Sequence, residues 1–445
     1  MRVLLFHGYM LRGTGSNIYT ANLARALAGL GHEVHLLCQD KQVRIEGVEI
    51  HNPDIHGLLP VYVKDPYEGF EVKAFPEMTD AELDRYIDAN VAALRAVAEA
   101  TGGFDAALAG HLVMGPVVLA RSGIGSFAAK IHGSALEYTV KPHPRFLPYA
   151  EEGMRAASCV LVGSRHTAES LWAALPNVEG LQEKTRLGPP GVDTDEFRPG
   201  GDRFPLVAFV GKLIVSKGVD LLIASWPLVK AAHPDAELRI AGYGEYEQGL
   251  RRLLVALDRG DLDDAREVAK LGWGLEGGEE APLPILSAFL ADPPDGYAEA
   301  AKGIAGSVEL IGRLEHDEVA ELLPEAEALV MPSTFPEAFG MVAAEAAACG
   351  VLPVSAGHSG MLEVSRQLAA ALPEGAADLV SFPVEEGAVE AITARLNAWL
   401  DLPEDKRETA REALVATARR LWSWEGVARG AIAASRGELD RLPLA

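Results

Sequence analysis

Two glutamates separated by seven residues form the most specific chemical pattern in the sequence. The segment reads Pro336-Glu337-Ala-Phe-Gly-Met-Val-Ala-Ala-Glu345 and follows an apolar run that ends at Met331. If Glu337 precedes a helix and Glu345 lies two turns inside it, the carboxylates are up to about 12 Å apart at ~1.5 Å of rise per residue. That separation suits the two ends of a nucleotide sugar and exceeds the roughly 5–9.5 Å of a glycosidase carboxyl pair. Taken alone, the pattern also fits a capping glutamate followed by an ordinary helix glutamate.

Several donors for an anionic group occur in the same half of the chain. The residues Ala338-Phe339-Gly340 precede a predicted helix, so their backbone N–H groups can meet sugar hydroxyls or phosphate. Lys212 follows one apolar run, and Lys217-Gly218 opens the next helical stretch. Two ammonium groups in these positions could neutralise a diphosphate as it leaves. A pair of solvated surface lysines is the alternative.

The first half contains a glycine-rich turn and a strand-end histidine. Gly13-Thr-Gly15-Ser16 comes directly before a helical stretch, so a phosphate could bind to its N–H groups. A dinucleotide fingerprint needs a third glycine where Ile18 stands, although Asp40 ends the second strand as a ribose-binding acid does. NAD binding and a turn without a ligand therefore both stay open. His132 ends another strand at the edge where such sheets bind ligands, with a purely structural histidine as the alternative.

The remaining histidines and the cysteines lack the spacing of a metal site. His32 and His35 flank Glu33 at the start of a strand, but the sequence indicates no third ligand. The three cysteines are far apart in apolar runs, without the Cys-x-x-Cys spacing of a zinc or redox site. We therefore predict buried free thiols and no metal site.

Alternating strands and helices must position the residues named above. Short apolar runs at Val3–His7 and Glu33–Cys38 enclose a helical stretch at Asn17–Leu30, which predicts a parallel sheet covered by helices. The alternation restarts at Pro205–Val210, so the 445 residues favour two doubly wound, Rossmann-like α/β domains. Further strands are predicted at 106–108, 128–132, 159–163, 237–241, 308–311, 327–331 and 351–354, with helices at 218–231, 317–323, 341–349 and 405–436.

Composition sets the expected domain limits. Residues 188–201 are dense in proline and glycine and are typical of a linker, so we predict domains at 1–190 and 200–419. Residues 246–306 interrupt the second pattern with a helical, acidic surface insertion. The final helix carries Trp422 and Trp424, and two aromatic residues so close together indicate packing against another element.

The net charge of −24 disfavours binding of nucleic acid or of an anionic membrane. Residues 1–190 contain 17 basic and 21 acidic residues, and the other 255 contain 23 and 43, so an anion in the second half needs a local cationic pocket. Met1–Phe6 is too short for a signal-peptide core, and no stretch reaches about 18 apolar residues. We expect a cytoplasmic protein without stable membrane insertion, and the oligomeric state stays open.

Taken in chain order, these motifs resemble a known family. The glycine-rich turn, His132-Gly, Gly211-Lys-Leu with Lys217-Gly, Gly312-Arg-Leu and the Glu-x7-Glu run are similar to those of retaining glycosyltransferases of family 4, over about residues 1–245 and 306–436. The resemblance implies the GT-B fold, in which two doubly wound domains face a central cleft and a C-terminal helix, here within 420–445, completes the first domain. It also implies transfer of a hexosyl group from a nucleotide-diphosphate sugar, most often UDP-linked, to a small hydroxyl acceptor without a metal or cofactor.

The resemblance also implies roles for individual residues. Glu337 would hold the donor sugar, Glu345 would hold the ribose, and Lys217 with Lys212 would bind the diphosphate. His132 would lie beside the reacting carbon, so the expected catalytic residues are His132, Lys217 and Glu337. The expected donor-binding residues, mostly through their backbone, are Gly13, Gly15, Lys212, Arg313, Leu314, Ala338, Phe339, Gly340, Met341, Val342 and Glu345.

Two features depart from the family pattern. Lys212 stands where the family more often has Arg, so bidentate phosphate binding is lost there. The segment 246–306 has no counterpart, and a lid, an oligomer contact and plain surface elaboration are all open. A nucleotide-sugar epimerase or phosphorylase of the same fold and a non-catalytic sugar-nucleotide-binding protein are the alternative functions. We expect the acceptor to meet the loop-like residues 54–75 and 134–145.

Overall fold

The computed structural model describes residues 1–13, 15–63, 67–200 and 203–445. Residues Met1–Gly191 and Trp422–Ala445 form one compact unit, and Val192–Leu421 form a second. Thr14 of the glycine-rich turn, residues 64–66 of one expected acceptor loop and Gly201 at the end of the expected linker lie outside the described residues. Among the residues described, no helix is both long enough and apolar enough to cross a membrane.

The first unit alternates strands and helices along the chain. Its strands are β1 (Arg2–Phe6), β2 (Glu33–Leu37), β3 (Val48–His51), β4 (Leu58–Val61), β5 (Glu71–Ala74), β6 (Ala106–Gly110), β7 (Ala128–Ile131), β8 (Cys159–Val162) and β9 (Thr185–Leu187). The helices of its N-terminal part are α1 (Gly15–Gly29), α2 (Asp80–Thr101), α3 (Gly115–Ser122), α4 (Leu147–Ala156) and α5 (Arg165–Ala174).

These strands form a parallel sheet in the order β3-β2-β1-β6-β7-β8-β9, while β4 and β5 pair with each other. Strands of such a sheet are continuous apolar runs because helices cover both faces. In β1, Leu4 and Phe6 pack into the core on one face, and Val3 and Leu5 pack on the other. The strands predicted near residues 3, 33, 106, 128 and 159 are confirmed, whereas β3, β4, β5 and β9, which are three or four residues long, were not predicted because so short a run gives little periodicity.

The second unit repeats the arrangement. Its strands are β10 (Leu206–Val210), β11 (Glu237–Ala241), β12 (Val308–Gly312), β13 (Ala328–Met331), β14 (Leu352–Ala356) and β15 (Ser381–Phe382). Its helices are α6 (Val219–Ala232), α7 (Glu247–Asp258), α8 (Leu262–Leu271), α9 (Pro284–Ala291), α10 (Tyr297–Ala301), α11 (His316–Leu322), α12 (Met341–Ala348), α13 (Ser359–Ala369), α14 (Ala388–Leu400) and α15 (Glu404–Leu421). The parallel sheet has the order β12-β11-β10-β13-β14-β15.

The strand order fixes where each unit can bind a ligand. In the first sheet the connections diverge between β1 and β6, and in the second they diverge between β10 and β13. At such a switch point the loops after neighbouring strands separate and leave a crevice at the carboxyl ends of the strands. The glycine-rich turn follows β1, and the Lys217 and Glu337 segments follow β10 and β13, so all three lie at switch points.

The helical segment predicted as a surface insertion packs against the body of the second unit. Phe289 of α9 and Tyr297 of α10 are buried and lie edge to face, with ring centroids 4.9 Å apart. The Tyr297 hydroxyl donates a hydrogen bond of 2.7 Å to the Ala224 carbonyl in α6. These contacts join the segment to a core helix of the unit.

The single C-terminal helix predicted at about 405–436 is wrong in one respect. The chain forms α15 and then a separate helix, α16 (Trp424–Ser435), which belongs to the first unit. Ser423 has an extended backbone and its hydroxyl accepts a hydrogen bond of 3.3 Å from the Gly426 N–H, so it caps α16 and ends helical continuity. Trp424 packs edge to face on Tyr19 of α1, with centroids 5.5 Å apart.

The helix α15 is tied to its unit by a buried ion pair. Arg411 donates two hydrogen bonds, of 2.7 and 2.8 Å, to the carboxylate of Glu327, which directly precedes β13. Both side chains are less than a tenth exposed. Removing one partner of such a pair leaves the other charge buried without compensation.

The three cysteines are buried free thiols, as predicted.

We expect Arg411→Met to lower the free energy of unfolding of the second unit by about 3 kcal/mol, because it removes both hydrogen bonds to the buried Glu327 and leaves only the more distant Arg407, at 3.8 Å, as its ion-pair partner. Chemical denaturation followed by circular dichroism measures the change. The matched control is Arg251→Met, which removes an exposed pair with Glu247 in α7 and should cost less than about 1 kcal/mol. Equal losses in the two variants would contradict the assignment.

Candidate functional site

The expected catalytic pair of the second unit is assembled at its switch point. The Lys217 ammonium group contacts Glu337 Oε1 directly, and the Ser333 hydroxyl donates a hydrogen bond of 2.9 Å to the same oxygen. Lys217 follows β10, whereas Ser333 and Glu337 follow β13. Both side chains of the ion pair are about a quarter exposed, so they are oriented by the protein and accessible to a ligand.

Gly218 allows the segment that holds Lys217 to approach the segment that follows β13. Lys217 ends a short 3₁₀ turn, Val215–Lys217, and the next residue, Gly218, has a φ of +64°. A Cβ at Gly218 would overlap the carbonyl oxygen of Pro332. The Thr334 N–H also donates a hydrogen bond of 2.9 Å to the Ser216 carbonyl. Lys217 therefore supplies the charge, and Gly218 allows the close approach that positions it.

The loop after β14 holds the backbone of Glu337. The Ser359 hydroxyl accepts a hydrogen bond of 2.9 Å from the Glu337 N–H, and the Gly360 N–H donates one of 2.9 Å to the Glu337 carbonyl. His358 Nε2 donates a hydrogen bond of 2.8 Å to the Ser333 carbonyl. Sequence reasoning missed these three residues, although they directly follow a buried strand beside β13, which was the available signal.

The residues expected to offer backbone donors lie at the start of α12. Gly340, with a φ of +105°, is the N-cap, and Met341 and Val342 begin the helix. Phe339 is buried, which anchors the loop beside Ala338. The first N–H groups of a helix carry partial positive charge and have no partner within the helix. The N-terminus of α12, at Met341, lies four residues after Glu337 and offers such N–H groups.

A second cationic group lies on the loops after β10, β11 and β12. The Lys212 ammonium nitrogen is 5.8 Å from the centre of the Tyr243 ring, and the Arg313 guanidinium carbon is 5.2 Å from it. Arg313 also pairs with Glu315 at 2.9 Å, and Leu314 stands between these two residues. Tyr243 was not predicted from the sequence. Its position after a buried strand was the only signal.

Glu345, expected to meet the ribose, is held by a histidine. The side chain of Glu345 is 6% exposed, and its Oε1 lies 3.1 Å from His316 Nε2. His316 Nδ1 in turn lies 3.5 Å from Glu196, and its ring packs on Phe197 with centroids 4.8 Å apart. This histidine fixes the orientation of the carboxylate, and sequence reasoning missed it because Glu196, His316 and Glu345 are far apart in the chain.

The acidic segment contributes one contact to the Lys217 loop. Glu276, in the 3₁₀ turn Trp273–Glu276, accepts a hydrogen bond of 2.7 Å from the Val215 N–H. Burial raises the pKa of Glu276. Because Val215 opens the 3₁₀ turn that ends at Lys217, Glu276 restrains the position of the lysine.

In the first unit, His132 follows β7 and is one of three ring-packed histidines at the carboxyl edge. His132 and His111 have centroids 4.8 Å apart, and His111 and His7 have centroids 5.4 Å apart. His7 follows β1 and His111 follows β6, so these two lie on either side of the switch point. Tyr62 and Tyr9 complete the cluster, with centroids 4.4 Å and 6.5 Å from that of His111.

Burial keeps these imidazoles neutral. It lowers the pKa of His7 to about 4, although a hydrogen bond with Asn17 acts in the opposite direction, and it lowers the pKa of both His111 and His132 well below 6.5. Within the described part of the chain, neither ring nitrogen of the buried His111 has a hydrogen-bond partner. Sequence reasoning identified only His132, because rings on three separate strands meet only in the folded sheet.

The glycine-rich turn is anchored without a dinucleotide. Asp40 lies 3.3 Å from the guanidinium of Arg12 and accepts hydrogen bonds from the N–H groups of Leu11, Gln42 and Val43, at 3.1–3.4 Å. Its carboxylate is therefore occupied by the residues before the turn and by its own loop after β2, which argues against the ribose-binding role that NAD would need. Gly13 has a φ of +92°, and Gly15 begins α1.

We expect Glu276→Ala to free the Lys217 loop, because the Val215 N–H loses an acceptor worth about 1.5–3 kcal/mol when it is charged. Hydrogen–deuterium exchange of the Val215 amide should become about tenfold faster or more. Glu276→Gln, which keeps an acceptor oxygen, should exchange more slowly than the alanine variant. The exposed neighbour Glu279→Ala is the control, and an equal effect there would contradict the assignment.

Two family models match most of the chain. A family model described as Glycosyltransferase Family 4 matches residues 13–196, and a model described as glycosyl transferases group 1 matches residues 193–261 and 298–415. The residues between the two matched stretches of the second model, 262–297, lie inside the segment set apart as 246–306 and include Glu276.

Two curated relatives and one solved structure illustrate the similarity. The GDP-mannose-dependent monoacylated alpha-(1-6)-phosphatidylinositol monomannoside mannosyltransferase of Corynebacterium glutamicum is 28% identical over 53% of this chain, which spans about half, 52%, of that relative. The D-inositol 3-phosphate glycosyltransferase of Geodermatophilus obscurus is 27% identical over 97% of this chain and 86% of its own length. Anabaena HepE, solved in complex with UDP-glucose, has a TM-score of 0.60 and 16% identity, with 96% of this chain and 98% of HepE covered.

The solved structure supports the predicted GT-B fold class, with two Rossmann-like units of parallel sheet. The family models cover most of both units and include Lys217, Glu337 and Glu345. The chain therefore belongs to the family 4 glycosyltransferases, with a group 1 glycosyl transferase domain as its second unit.

Proposed function

We propose that this protein transfers a hexosyl group from a nucleotide-diphosphate sugar to a hydroxyl acceptor, with retention of configuration and without a metal. The observation that carries the proposal is the Lys217–Glu337 pair at the switch point of the second unit. It joins a cation suited to a leaving diphosphate and a carboxylate suited to sugar hydroxyls. The N-terminus of α12, which begins at Met341, supplies further N–H donors for phosphate or sugar oxygens.

The leaving diphosphate would be stabilised by charges already in place. Lys217 is held by Glu337. Lys212, on the loop that follows β10, lies beside the ring of Tyr243, on the loop that follows β11. As the bond from the sugar to the diphosphate breaks, negative charge develops on the diphosphate oxygens, and fixed cations lower the energy of that state. The acceptor hydroxyl would attack from the same face, and the leaving phosphate would take its proton.

The remaining donor contacts follow from the same placement. Glu337 would accept hydrogen bonds from sugar hydroxyls, and Glu345, oriented by His316, would accept them from the ribose. The backbone of Arg313 and Leu314 would meet the base. We propose UDP as the nucleotide of the donor, with GDP as the second candidate. HepE was solved with UDP-glucose, and the C. glutamicum relative is named as GDP-mannose-dependent.

His132 would contact the sugar near the reacting carbon as a neutral group. Burial lowers its pKa well below 6.5, so at pH 7 one ring nitrogen donates and the other accepts a hydrogen bond. A neutral imidazole places no positive charge next to the positive charge that develops on the reacting carbon.

The acceptor would bind to the first unit. Tyr9 and Tyr62 pack against His111, and Tyr67 lies edge to face on Tyr9 with centroids 5.6 Å apart. Two of these tyrosines belong to the expected acceptor loop 54–75. Aromatic faces with polar hydroxyl tips suit a small polyhydroxylated ring. The G. obscurus relative is named for an inositol phosphate acceptor, which belongs to this class.

A donor panel tests the function. Purified protein is incubated in EDTA with UDP-, GDP- and ADP-hexoses and a set of cyclitol, sugar and sugar-phosphate acceptors, and products are detected by mass and by the NMR coupling of the new anomeric proton. We expect turnover with one nucleotide, retention of the anomeric configuration and no loss of rate in EDTA. Nucleotide binding without turnover would favour a non-catalytic sensor, and no binding of any nucleotide would refute the proposal.

We expect Lys217→Ala to lower kcat/KM for the donor by about 100- to 1,000-fold, the range found when one donor to a developing charge is removed. The matched control is Lys270→Ala, because Lys270 lies in the same acidic unit with a side chain that is 75% exposed. Steady-state kinetics of both variants provide the measurement. Similar losses in the two variants would place the diphosphate elsewhere.

A further inference from the structure

A cluster of metal-ligating side chains lies within the strands β2 and β3 of the first unit. His35 of β2 stands opposite Glu49 of β3 in the parallel register, and His51 lies two residues further along β3. Side chains at alternate strand positions share a face, so the three groups meet on one side of the sheet. The ligand atoms of all three lie within 4.8 Å of one another.

From these residues we propose a Zn²⁺ site formed by His35, Glu49 and His51. A tetrahedral zinc ion with Zn–N bonds of about 2.0–2.1 Å needs ligand atoms roughly 3.3 Å apart. His35 Nδ1 lies 3.1 Å from His51 Nε2 and 3.5 Å from Glu49 Oε2, and His51 Nε2 lies 3.8 Å from Glu49 Oε1. One ion at the centre of this triangle would bind all three groups with only small movements of the side chains.

Glu33 orients His35 for metal binding. Its Oε1 lies 3.1 Å from His35 Nε2, so it accepts the proton of that nitrogen and leaves Nδ1 as the unprotonated nitrogen, which is the form that binds a metal ion. A metal-binding histidine usually donates a hydrogen bond from its other ring nitrogen to a carboxylate, a backbone carbonyl or water. The ring of His35 is also fixed by edge-to-face packing on Phe104, with centroids 5.6 Å apart.

The surrounding charge favours a cation. The charged groups around the two imidazoles are Glu33, Glu49 and Arg2, whose guanidinium lies 3.4 Å from Glu33, so the local charge is negative. His35 is buried, whereas the Glu49 side chain is 67% exposed, which gives an ion access from solvent. The sequence indicated no third ligand beside His35 because Glu49 and His51 lie on β3, which was not predicted.

The position of the cluster indicates what zinc would do. The strand β3 is the edge of the sheet and β2 is its inner neighbour. An ion bound by residues from both strands cross-links the edge strand to the sheet, and an ion that binds only the folded state stabilises it. The proposed zinc ion therefore stabilises the fold, with a water molecule as its fourth ligand on the exposed side of Glu49, and it is independent of the proposed transfer reaction.

Calorimetric titration tests the site. Full-length protein is treated with EDTA, dialysed and titrated with ZnCl₂. We expect one ion per chain at a site that His51→Gln and Glu49→Gln each weaken by tenfold or more. His56→Asn, which changes an exposed histidine of the same unit, should bind zinc as the wild type does. Equal binding by the wild type and both ligand variants, or no stoichiometric binding, would overturn the proposal.

A second measurement guards against a folding defect in the variants. The Glu49→Gln change is at an exposed side chain, and circular dichroism should show an unchanged fold for it. Zinc should raise the melting temperature of the wild type and of His56→Asn, and leave Glu49→Gln and His51→Gln unaffected. A zinc-dependent rise of equal size in all four proteins would show adventitious binding. Neither measurement depends on glycosyltransferase activity.

Discussion

The divergence of chain connections in each parallel sheet is the constraint on which the candidate site depends. Between β10 and β13 the loops turn to opposite sides, and the same occurs between β1 and β6. Only there can polar side chains and helix N-termini converge without filling the space between them. Lys217 and Glu337 occupy that position in the second unit, and His7 and His111 occupy it in the first.

Charge in the second unit is organised locally. Residues 191–445 carry 23 basic and 43 acidic residues, so a diphosphate would meet a repulsive field outside a small region. Within that region Lys217 is oriented by Glu337, the Lys217 loop is restrained by Glu276, and Glu337 is fixed by the loop after β14. Groups that are already fixed need not reorganise when charge develops on a ligand. A few cations can therefore stabilise that charge strongly.

Histidines in the first unit show how burial decides the chemistry of one residue type. His7, His111 and His132 pack against one another and against tyrosines, and burial keeps them neutral at the ligand-binding edge. His35 and His51 instead lie beside two carboxylates where one side of the cluster meets solvent. The first group suits hydrogen bonding to a sugar or cyclitol, and the second suits a metal ion.

The sequence alone determined the fold class and most strands, because apolar periodicity is local, and the Glu337-x7-Glu345 and Lys217-Gly218 patterns singled out the residues of the candidate site. It did not determine the short polar strand β3, the break of the C-terminal helix at Ser423, or the partners Tyr243, Glu276, His316 and His358. Those depend on which strands become neighbours and which loops meet. Contacts between residues far apart in the chain are set only when the sheets assemble, and so the tertiary structure alone decided how the lysine, the glutamates and the histidines are held.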